Sequence, residues 1–482
     1  MSWEPVIGVE THVELATASK MFCGCRVRFG APPNSDICPV CLGLPGALPV
    51  PNERAIELLV AIGLALQSEV VPRSMFHRKN YFYADMPKNY QISQYDVPVC
   101  RGGQLDVELD GISTRVRIHR AHMEEDTGKS IHVGTGGRIH AAGSTLLDFN
   151  RAGVPLAEVV SEPDIQSPAM ARAYAQQLRS LVLAVGASDA RLEEGSIRFD
   201  ANVSLRPEGT DGLGTKVEVK NMNSFRSLER ALSYEIERQR QLLEAGEPVV
   251  QETRHWDEEV GITHGMRSKE ESSDYRYFPE PDLVPVVVDD AWRARVAETL
   301  PELPAARHLR YRELGVEPQV AAVLSLSTDG LAELFDAAAA LGADPRMAAN
   351  WLTGDVRAHL RRDGGDLAET GLDAAALAEL SSLVGGGRLS PSAAKEVLAG
   401  VIAGEGRPGE VATGRDLLQV SDRTEVETQV SEVLDAHPEE VTRARGGEEK
   451  LVGFLVGEVM KASRGKADPR LVAELVRAHI AS

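Results

Sequence analysis

The sequence predicts an α+β protein whose N-terminal domain carries a largely antiparallel sheet with helices and whose remaining domains are all-α. Up to about residue 290, short β-branched runs are mixed irregularly with helical segments and separated by Gly, Pro and Asp turns. The strict alternation of strand and helix that marks a parallel sheet is absent, which favours antiparallel pairing. Beyond that point Ala, Leu and Glu dominate in helical patterns, with breaks at residues 315–319, 342–346 and 385–392.

A chain of 482 residues is long enough for about three domains. The change to a helical composition places the first boundary at residue 292, and the Gly-rich, charged stretch 405–416 places the second. We therefore predict a sheet domain over 1–292, a helical domain over 293–405 and a helical tail domain over 406–482.

Composition and charge exclude several classes of protein. Hydrophobic residues make up 43% of the chain and charged residues 26%, so a disordered chain is excluded. The 52 basic and 72 acidic residues leave a net charge of −20, which argues against non-specific binding of nucleic acid over the whole surface. No apolar run approaches a membrane span, and the N-terminal segment lacks the features of a signal peptide. We expect a cytoplasmic protein without a membrane partner, in which any nucleic-acid site is local.

Four of the five cysteines have the spacing of metal ligands, C-x-C followed after 12 residues by C-x-x-C. In a reducing compartment such thiols are expected as thiolates on tetrahedral zinc rather than as disulfides. Free thiols, or a redox pair of Cys38 and Cys41, are the alternatives, but no thioredoxin-like strand and helix surround "CPVC". We predict a structural zinc held by Cys23, Cys25, Cys38 and Cys41, and a buried, inert thiol at Cys100.

Two helices stand out in the N-terminal half of the chain. Residues 168–185 and 227–245 carry apolar side chains at helical spacing. Ser227 is the expected N-cap of the second helix, and Gly246 and Pro248 follow its end.

Alternation in "IGVETHVEL" predicts a strand with one polar and one apolar face. Glu10, His12 and Glu14 share the polar face. Such a set is costly without a cation, so it indicates a hard divalent metal or a water-filled catalytic cleft, with a solvated strand face as the alternative. Two later segments add carboxylates of the kind that magnesium and phosphoryl-transfer sites need: Glu124, Glu125, Asp126, Asp148, Glu158, Glu162 and Asp164.

Aromatic and basic residues are interleaved over 76–95, although only 5% of the chain is aromatic. Stacking faces beside cations fit a nucleotide or an RNA terminus, and a core strand with exposed Lys and Arg is the alternative. Later strand-like segments predict a wide polar cleft through alternating polar residues: Asp200, Asn202, Lys216, Glu218, Lys220, Asn223, Arg254 and Arg267. Residues 451–482 hold five basic and three acidic side chains, which predicts a local RNA-binding surface unless they form an ordinary solvated helix face.

Several familiar catalytic motifs are absent from the sequence. "DTGKS" lacks the first glycine of a phosphate-binding loop, since Met123 stands at that position, and "HVGTGGRIH" lacks the third glycine of a dinucleotide fingerprint. Neither an amidase serine signature nor a G-x-S-x-G elbow is present. The chain is therefore not expected to hydrolyse an amide through a serine.

Ten long segments stand in an order typical of one family: "IGVETHVEL", "RKNYFYADMPKNYQISQYD", "HMEEDTGKS", "DFNRAGVPLAEVVSEPDI", "EEGSIRFDANVSLRP", "KNMNSFRSLERALSYE", "QETRHWD", "SSDYRYFPEPDL", "ANWLTGDV" and "GFLVGEVMKASRGKADP". Together they cover essentially the whole chain. On these segments the sequence closely resembles the B-subunit family of the bacterial tRNA-dependent amidotransferases.

The resemblance implies a heterotrimeric enzyme that converts Glu-tRNA(Gln) to Gln-tRNA(Gln), and often Asp-tRNA(Asn) to Asn-tRNA(Asn). Residues 1–292 would form its cradle domain, which uses ATP and Mg²⁺ to phosphorylate the side-chain carboxylate before ammonia displaces the phosphate. An amidase-type glutaminase, the A subunit, would deliver the ammonia, and a small C subunit would stabilise the pair. No DNA partner is implied.

Transferred motif by motif, the resemblance also implies roles for individual residues. The catalytic magnesium ligands would be Glu10, His12, Glu125 and Glu158. Contacts to ATP or to the tRNA terminus are expected from Lys79, Tyr81, Lys88, Asp200, Asn202, Lys216, Glu218, Lys220 and Arg267. The tail should contact the tRNA body through Lys461, Arg464 and Lys466. The four-cysteine site occurs in only some members of this family.

Two other functions stay open from the sequence. The chain could be a non-catalytic scaffold subunit that grips tRNA while another chain performs the chemistry. It could also be a self-contained ATP-dependent amide ligase acting on a small acid, although the basic, helical C-terminal third argues against that function.

Overall fold

Strands of the N-terminal half form the framework of the structure. The computed structural model describes residues 2–133, 143–266, 275–363, 365–419, 423–463, 467 and 469–481. Within these residues the strands are β1 (Trp3–Glu14), β2 (Glu69–Val70), β3 (Arg73–Ser74), β4 (His77–Asn80), β5 (Tyr90–Ser93), β6 (Cys100–Arg101), β7 (Gln104–Leu109), β8 (Ile112–Glu125), β9 (Lys129–Val133), β10 (Ser144–Asp148), β11 (Pro155–Ser161), β12 (Ile197–Pro207), β13 (Val217–Met222), β14 (Thr253–Asp257), β15 (Ile262–Gly265), β16 (Phe278–Pro279) and β17 (Val286–Val287).

Helices are sparse before residue 290 and dominate after it. They are α1 (Glu53–Ala65), α2 (Pro168–Ala184), α3 (Phe225–Glu244), α4 (Asp290–Glu298), α5 (Pro304–Glu313), α6 (Pro318–Ser325), α7 (Leu331–Ala340), α8 (Pro345–Trp351), α9 (Arg357–Asp363), α10 (Ala374–Gly385), α11 (Pro391–Ile402), α12 (Pro408–Gly414), α13 (Arg423–Ala436), α14 (Pro438–Arg445), α15 (Glu449–Ala462) and α16 (Pro469–Ala481). A π-helical turn, Leu352–Val356, joins α8 to α9.

The largest sheet has the strand order β15-β14-β13-β12-β1-β11-β8-β6-β2, with β7 also paired to β8. Its neighbouring strands are antiparallel, apart from the parallel pair of β13 and β14. The predicted α+β class with a largely antiparallel sheet followed by helices is therefore confirmed. The long strand β1 lies at the centre of the sheet.

One face of this sheet is apolar and packs against α1, α2 and α3. From β1, Val9 and Val13 enter the same core as Leu178 of α2 and Leu232 of α3. Residues that alternate with them along β1, such as His12, point to the opposite face because successive side chains of a strand alternate. The sheet thus buries one face and presents polar side chains on the other.

The two predicted helices of the N-terminal half are present as α2 and α3, with ends within two residues of the prediction. The prediction that Ser227 caps α3 is wrong. The cap is Ser224, whose Oγ accepts a hydrogen bond of 2.9 Å from the backbone N–H of Ser227. Ser227 is already buried inside the first helical turn, where its own N–H needs that partner.

The chain divides into two compact units, Met1–Arg307 and His308–Ser482. Residues just beyond the predicted boundary at 292 pack with the first unit. Val296 belongs to its core, and Leu300 and Leu303 pack against that core. The helix α4 therefore completes the sheet unit.

The second unit is built from helices around two separate apolar cores. One core draws its buried residues from 311–412 and the other from 426–476. The division of the chain into three domains stays a prediction. Among the described residues, none of the helices has the length and apolar character needed to span a bilayer.

Candidate active site

Strand register brings polar residues from distant parts of the chain into one row across the sheet. In β1, His12 lies opposite Glu158 of β11 on one side and opposite Arg198 of β12 on the other. Glu158 in turn lies opposite His122 of β8. Directly opposed residues of antiparallel strands project from the same face, so these four side chains share the polar face of the sheet.

His12, Glu124 and Glu158 form a compact group on this face, which we call the carboxylate cluster. One ligand-type atom from each residue lies within 4.8 Å of the other two. His12 Nε2 is 3.5 Å from Glu158 Oε2 and 4.0 Å from Glu124 Oε2. Both glutamates are buried and the histidine is half-buried. Two carboxylates and an imidazole form a donor set that fits a divalent cation.

The charged forms of His12 and Glu158 stabilise each other. Burial disfavours the imidazolium form, but hydrogen bonding and attraction to Glu158 outweigh burial and raise the pKa of His12 to about 9. Burial also disfavours ionised Glu158, but His122 and the bond from His12 lower its pKa to about 2. Glu158 is therefore a carboxylate at neutral pH, as a metal ligand must be, whereas His12 would release its proton when a cation binds.

Glu124 is held in place by several donors. Lys79 Nζ lies 3.6 Å from its Oε1, and Ser93 Oγ donates to the same oxygen at 2.8 Å. Gln91 Nε2 donates to Oε2 at 3.2 Å. Lys79 also lies 5.1 Å from the centre of the Tyr275 ring, and although burial opposes its charge, attraction to Glu124 raises its pKa above the usual range. A cation, a carboxylate and an aromatic face are thus adjacent in this site.

Glu125, predicted as a magnesium ligand, lies elsewhere. It is ion-paired with Lys88 and accepts a hydrogen bond of 2.8 Å from the backbone N–H of Ile92. Glu125 and Lys88 line, with Lys20 and Cys41, a cavity of about 120 Å³ beside the cysteines. The structure therefore does not bring Glu125 to the carboxylate cluster.

The alternation of β8 explains why Glu124 takes that place. The register pairs His122 with Glu158, so the residues two apart from His122 on β8 project towards the cluster. Glu124 is one of them and Glu125 is not. The sequence contained this signal, because "HMEED" places one histidine and one glutamate at alternate positions, as "ETHVE" does.

A second polar group lies beside the cluster on the same face of the sheet. Lys220 Nζ is 2.8 Å from Asp200 Oδ2 and 3.3 Å from Glu218 Oε1. Asn202 Nδ2 donates to Glu10 Oε1 at 2.8 Å. Burial and then the nearby carboxylates raise the pKa of Glu10. The structure thus brings five of the predicted site residues together here, on three neighbouring strands.

The remaining predicted residues are scattered. Lys216 is exposed and helps to line a cavity of about 500 Å³ that also reaches the second polar group. Tyr81 packs its ring 6.1 Å from that of Tyr83. Lys461 is exposed on α15. Three predicted contacts lie outside the described residues: Arg267, Arg464 and Lys466.

The four predicted zinc ligands form a second cluster, which we call the cysteine cluster. The Sγ atoms of Cys23, Cys25, Cys38 and Cys41 lie within 4.8 Å of one another, and all four thiols are free. Cys38 Sγ and Cys41 Sγ are 3.9 Å apart, and the backbone N–H of Cys38 donates to Cys41 Sγ at 3.1 Å. Tetrahedral zinc with Zn–S bonds of about 2.3 Å needs sulfur atoms roughly 3.8 Å apart. The cluster can therefore hold a metal such as zinc.

Buried imidazole, carboxylate and lysine side chains that shift one another's pKa values cluster at the active sites of enzymes. Comparison with known families agrees with this class. Residues 5–294 match the family described as the GatB/GatE catalytic domain, and residues 333–480 match the family described as the GatB domain.

Curated relatives match over nearly the whole chain. The aspartyl/glutamyl-tRNA(Asn/Gln) amidotransferase B subunit of Thermodesulfovibrio yellowstonii is 47% identical, and the match covers 99% of both chains. Proteins of the same name from Frankia casuarinae and Halorhodospira halophila are 51% and 49% identical, over 98% and 99% of this chain and 95% and 99% of theirs. The chain belongs to the family of aspartyl/glutamyl-tRNA(Asn/Gln) amidotransferase B subunits, which confirms the predicted resemblance.

Proposed function

We propose that this chain is the B subunit of an aspartyl/glutamyl-tRNA(Asn/Gln) amidotransferase and contributes the site at which the tRNA-bound carboxylate is activated and amidated. The enzyme would be an ATP-dependent carbon–nitrogen ligase that converts Glu-tRNA(Gln), Asp-tRNA(Asn) or both to the amide. The observation that carries this proposal is the carboxylate cluster, which lies within the part of the chain that matches the catalytic-domain family.

The reaction has two steps, because a carboxylate is a poor acceptor for ammonia. A carboxylate oxygen of the substrate attacks the γ-phosphorus of ATP, the bond to the bridging oxygen breaks, and ADP leaves. Ammonia then attacks the acyl carbon, the bond to the phosphate oxygen breaks, and phosphate leaves while the nitrogen loses a proton to water. Lys220, from β13, and Lys79, which approaches Glu124 from β4, bring to this face the positive charge needed to hold phosphate oxygens.

Mg²⁺ would be held by His12, Glu124 and Glu158. We assign the third position to Glu124 rather than to Glu125 because Glu124 lies with His12 and Glu158 whereas Glu125 is paired with Lys88. A bound Mg²⁺ would neutralise charge on the phosphates. Glu10 and Asp200, on the same face, would approach the nucleotide or a second ion.

Zinc would be held by the cysteine cluster as a structural ion. Four thiolates leave no open position on a tetrahedral metal, so this ion would hold the loop between β1 and α1 in shape without joining the chemistry.

Membership of a B-subunit family supports a complex of several subunits. We propose that the ammonia comes from an amidase-type glutaminase, the A subunit, since the sequence of this chain lacks an amidase serine signature. A small C subunit would complete a cytoplasmic heterotrimer. Lys461 is exposed and would contact the body of the tRNA, with the neighbouring basic residues of the tail.

The test is ATP hydrolysis by the chain co-expressed with both partner subunits, with ammonium, and with or without mischarged Glu-tRNA(Gln) or Asp-tRNA(Asn). We expect turnover to require the mischarged tRNA and to be lost in Glu124→Gln. A second measurement, the affinity of the same complex for Mn²⁺ in place of Mg²⁺, distinguishes the two neighbouring glutamates. Glu125→Gln should bind Mn²⁺ like the wild type, because that carboxylate faces away from the cluster. Full turnover in Glu124→Gln, with tRNA binding retained, would leave this chain as a scaffold subunit.

A further inference from the structure

A second histidine of the site, His122, was not singled out by the sequence. It lies on β8 directly opposite Glu158 and is 2% exposed. Its Nε2 is 3.4 Å from Glu158 Oε2 and 3.6 Å from Glu124 Oε1. One buried imidazole nitrogen therefore reaches both carboxylates of the cluster.

His122 contacts one particular oxygen atom of each glutamate. His12 and His122 approach the same atom, Glu158 Oε2, from the strands on either side of β11. On Glu124, His122 approaches Oε1, whereas His12 faces Oε2. An ionised carboxylate only accepts hydrogen bonds, so the His122 nitrogen that faces both glutamates must carry the proton. His122 can thus fix one oxygen of each glutamate from the side away from β1.

Packing alone does not account for an imidazole at this position. Its other nitrogen, Nδ1, is buried and has no hydrogen-bond partner within the part of the chain that the structure describes. Burying an unpaired polar nitrogen costs free energy that an apolar residue of similar size would avoid. The contacts that compensate are those of Nε2 with the two glutamates.

We propose that His122 is a positioning residue that bridges Glu158 Oε2 and Glu124 Oε1 through Nε2 and presents the two carboxylates to the cation bound with His12. This inference rests on the proposed function, which assigns a divalent cation to the carboxylate cluster. Partners that orient metal ligands in this way typically contribute roughly 10–100-fold in metal affinity.

The test exploits the shapes of two amides. A glutamine side chain can place its N–H₂ near the position of Nε2, whereas the shorter asparagine reaches only the position of Nδ1. Mn²⁺ affinity is measured by electron paramagnetic resonance titration of the full chain in complex with its partner subunits. We expect His122→Gln to retain most of the affinity and His122→Asn to lose roughly 10–100-fold.

Two further variants make the readout specific. Glu158→Gln removes a proposed ligand and identifies the part of the Mn²⁺ signal that belongs to this site. His119→Gln is the matched control, because His119 also lies on β8 and pairs with a carboxylate, Glu162, at 2.9 Å, but is exposed and outside the cluster. It should bind Mn²⁺ like the wild type.

The outcomes separate the two proposals. If the wild type has no Mn²⁺ site that Glu158→Gln abolishes, the metal assignment fails and the role of His122 falls with it. If that site exists, two results overturn only the role of His122. In one, His122→Gln binds Mn²⁺ as weakly as His122→Asn; in the other, both variants bind Mn²⁺ like the wild type. Should His122→Asn not fold, His122→Gln decides alone, with near-wild-type affinity supporting the role and an affinity as low as that of Glu158→Gln refuting it.

Discussion

The N-terminal unit contains two clusters of ligand-type side chains that differ in donor chemistry and in how the chain assembles them. The carboxylate cluster combines nitrogen and oxygen atoms from β1, β8 and β11, at the centre of the large sheet. The cysteine cluster consists of four sulfur atoms from one segment, residues 23–41, that lies between β1 and α1. The first would hold a hard cation and the second a soft one.

The difference between the clusters indicates that one serves activity and the other serves stability. The strands that carry the carboxylate cluster pack on an apolar core shared with α1, α2 and α3, which holds them in register. The segment between β1 and α1 has little regular structure, and a metal would supply order that packing does not. Changes to the first cluster should therefore affect activity, and changes to the second should affect stability.

The largest expected effect is on activity, in Glu158→Gln. The amide keeps the size of the side chain but removes the negative charge at the point where three strands meet, so we expect ATP turnover to fall at least about 100-fold. The measurement is tRNA-dependent ATP hydrolysis by the complete complex. Glu162→Gln, just beyond the end of β11, is the control and should turn over ATP normally. A parallel loss of folded protein in Glu158→Gln would contradict the proposal that the carboxylate cluster serves activity rather than stability.

The cysteine cluster should respond in the opposite way. Cys41→Ser is expected to release the bound metal and to lower the free energy of unfolding by several kcal/mol, because a structural metal contributes its binding energy to folding. Metal content by mass spectrometry and the midpoint of urea unfolding provide the measurements. Cys100→Ser, a change at a fully buried thiol away from the cluster, should lower stability without loss of metal. A Cys41→Ser protein with full metal content would refute the assignment.

The two clusters also differ in how far the sequence predicts them. The cysteine ligands lie within one short segment, so their spacing alone indicates the site. His12 and Glu158 are far apart in sequence and meet only through the register of β1 with β11. Alternation showed that Glu10 and His12 share a face, but it could not show which glutamate of "HMEED" joins them, because that depends on how β8 pairs with β11.

The fold was predictable where local patterns decide it. Helical spacing located α2 and α3, and the mixed pattern before residue 290 indicated the antiparallel sheet. The cap of α3 was missed because two serines three residues apart both suit an N-cap, and only the backbone shows that the first of them precedes the helix. The second polar group was predicted as a cleft, but its pairing of Lys220 with Asp200 depends on tertiary contacts.

The smallest expected effect concerns the free-energy cost of a buried negative charge on the polar face. The residue is Glu14, near the end of β1. Burial and then the nearby Asp126 raise the pKa of Glu14 to about 8. Below the ordinary pKa of 4.5, folded and unfolded chains are both protonated at this residue, so it has no effect on stability. Between pH 4.5 and 8 the unfolded chain releases the proton first, so stability falls as the pH rises, and the full cost is present above pH 8.

Glu14→Gln should therefore stabilise the chain more at pH 9 than at pH 5, by about 2 kcal/mol or more. The measurement is urea unfolding of both proteins at the two pH values. Glu69→Gln, which changes an exposed glutamate on β2, is the control and should show no such difference. An equal effect of Glu14→Gln at both pH values would mean that the polar face carries its negative charge without cost. The difference between the two clusters in their effect on the free energy of unfolding would then come only from the metal bound by the cysteines.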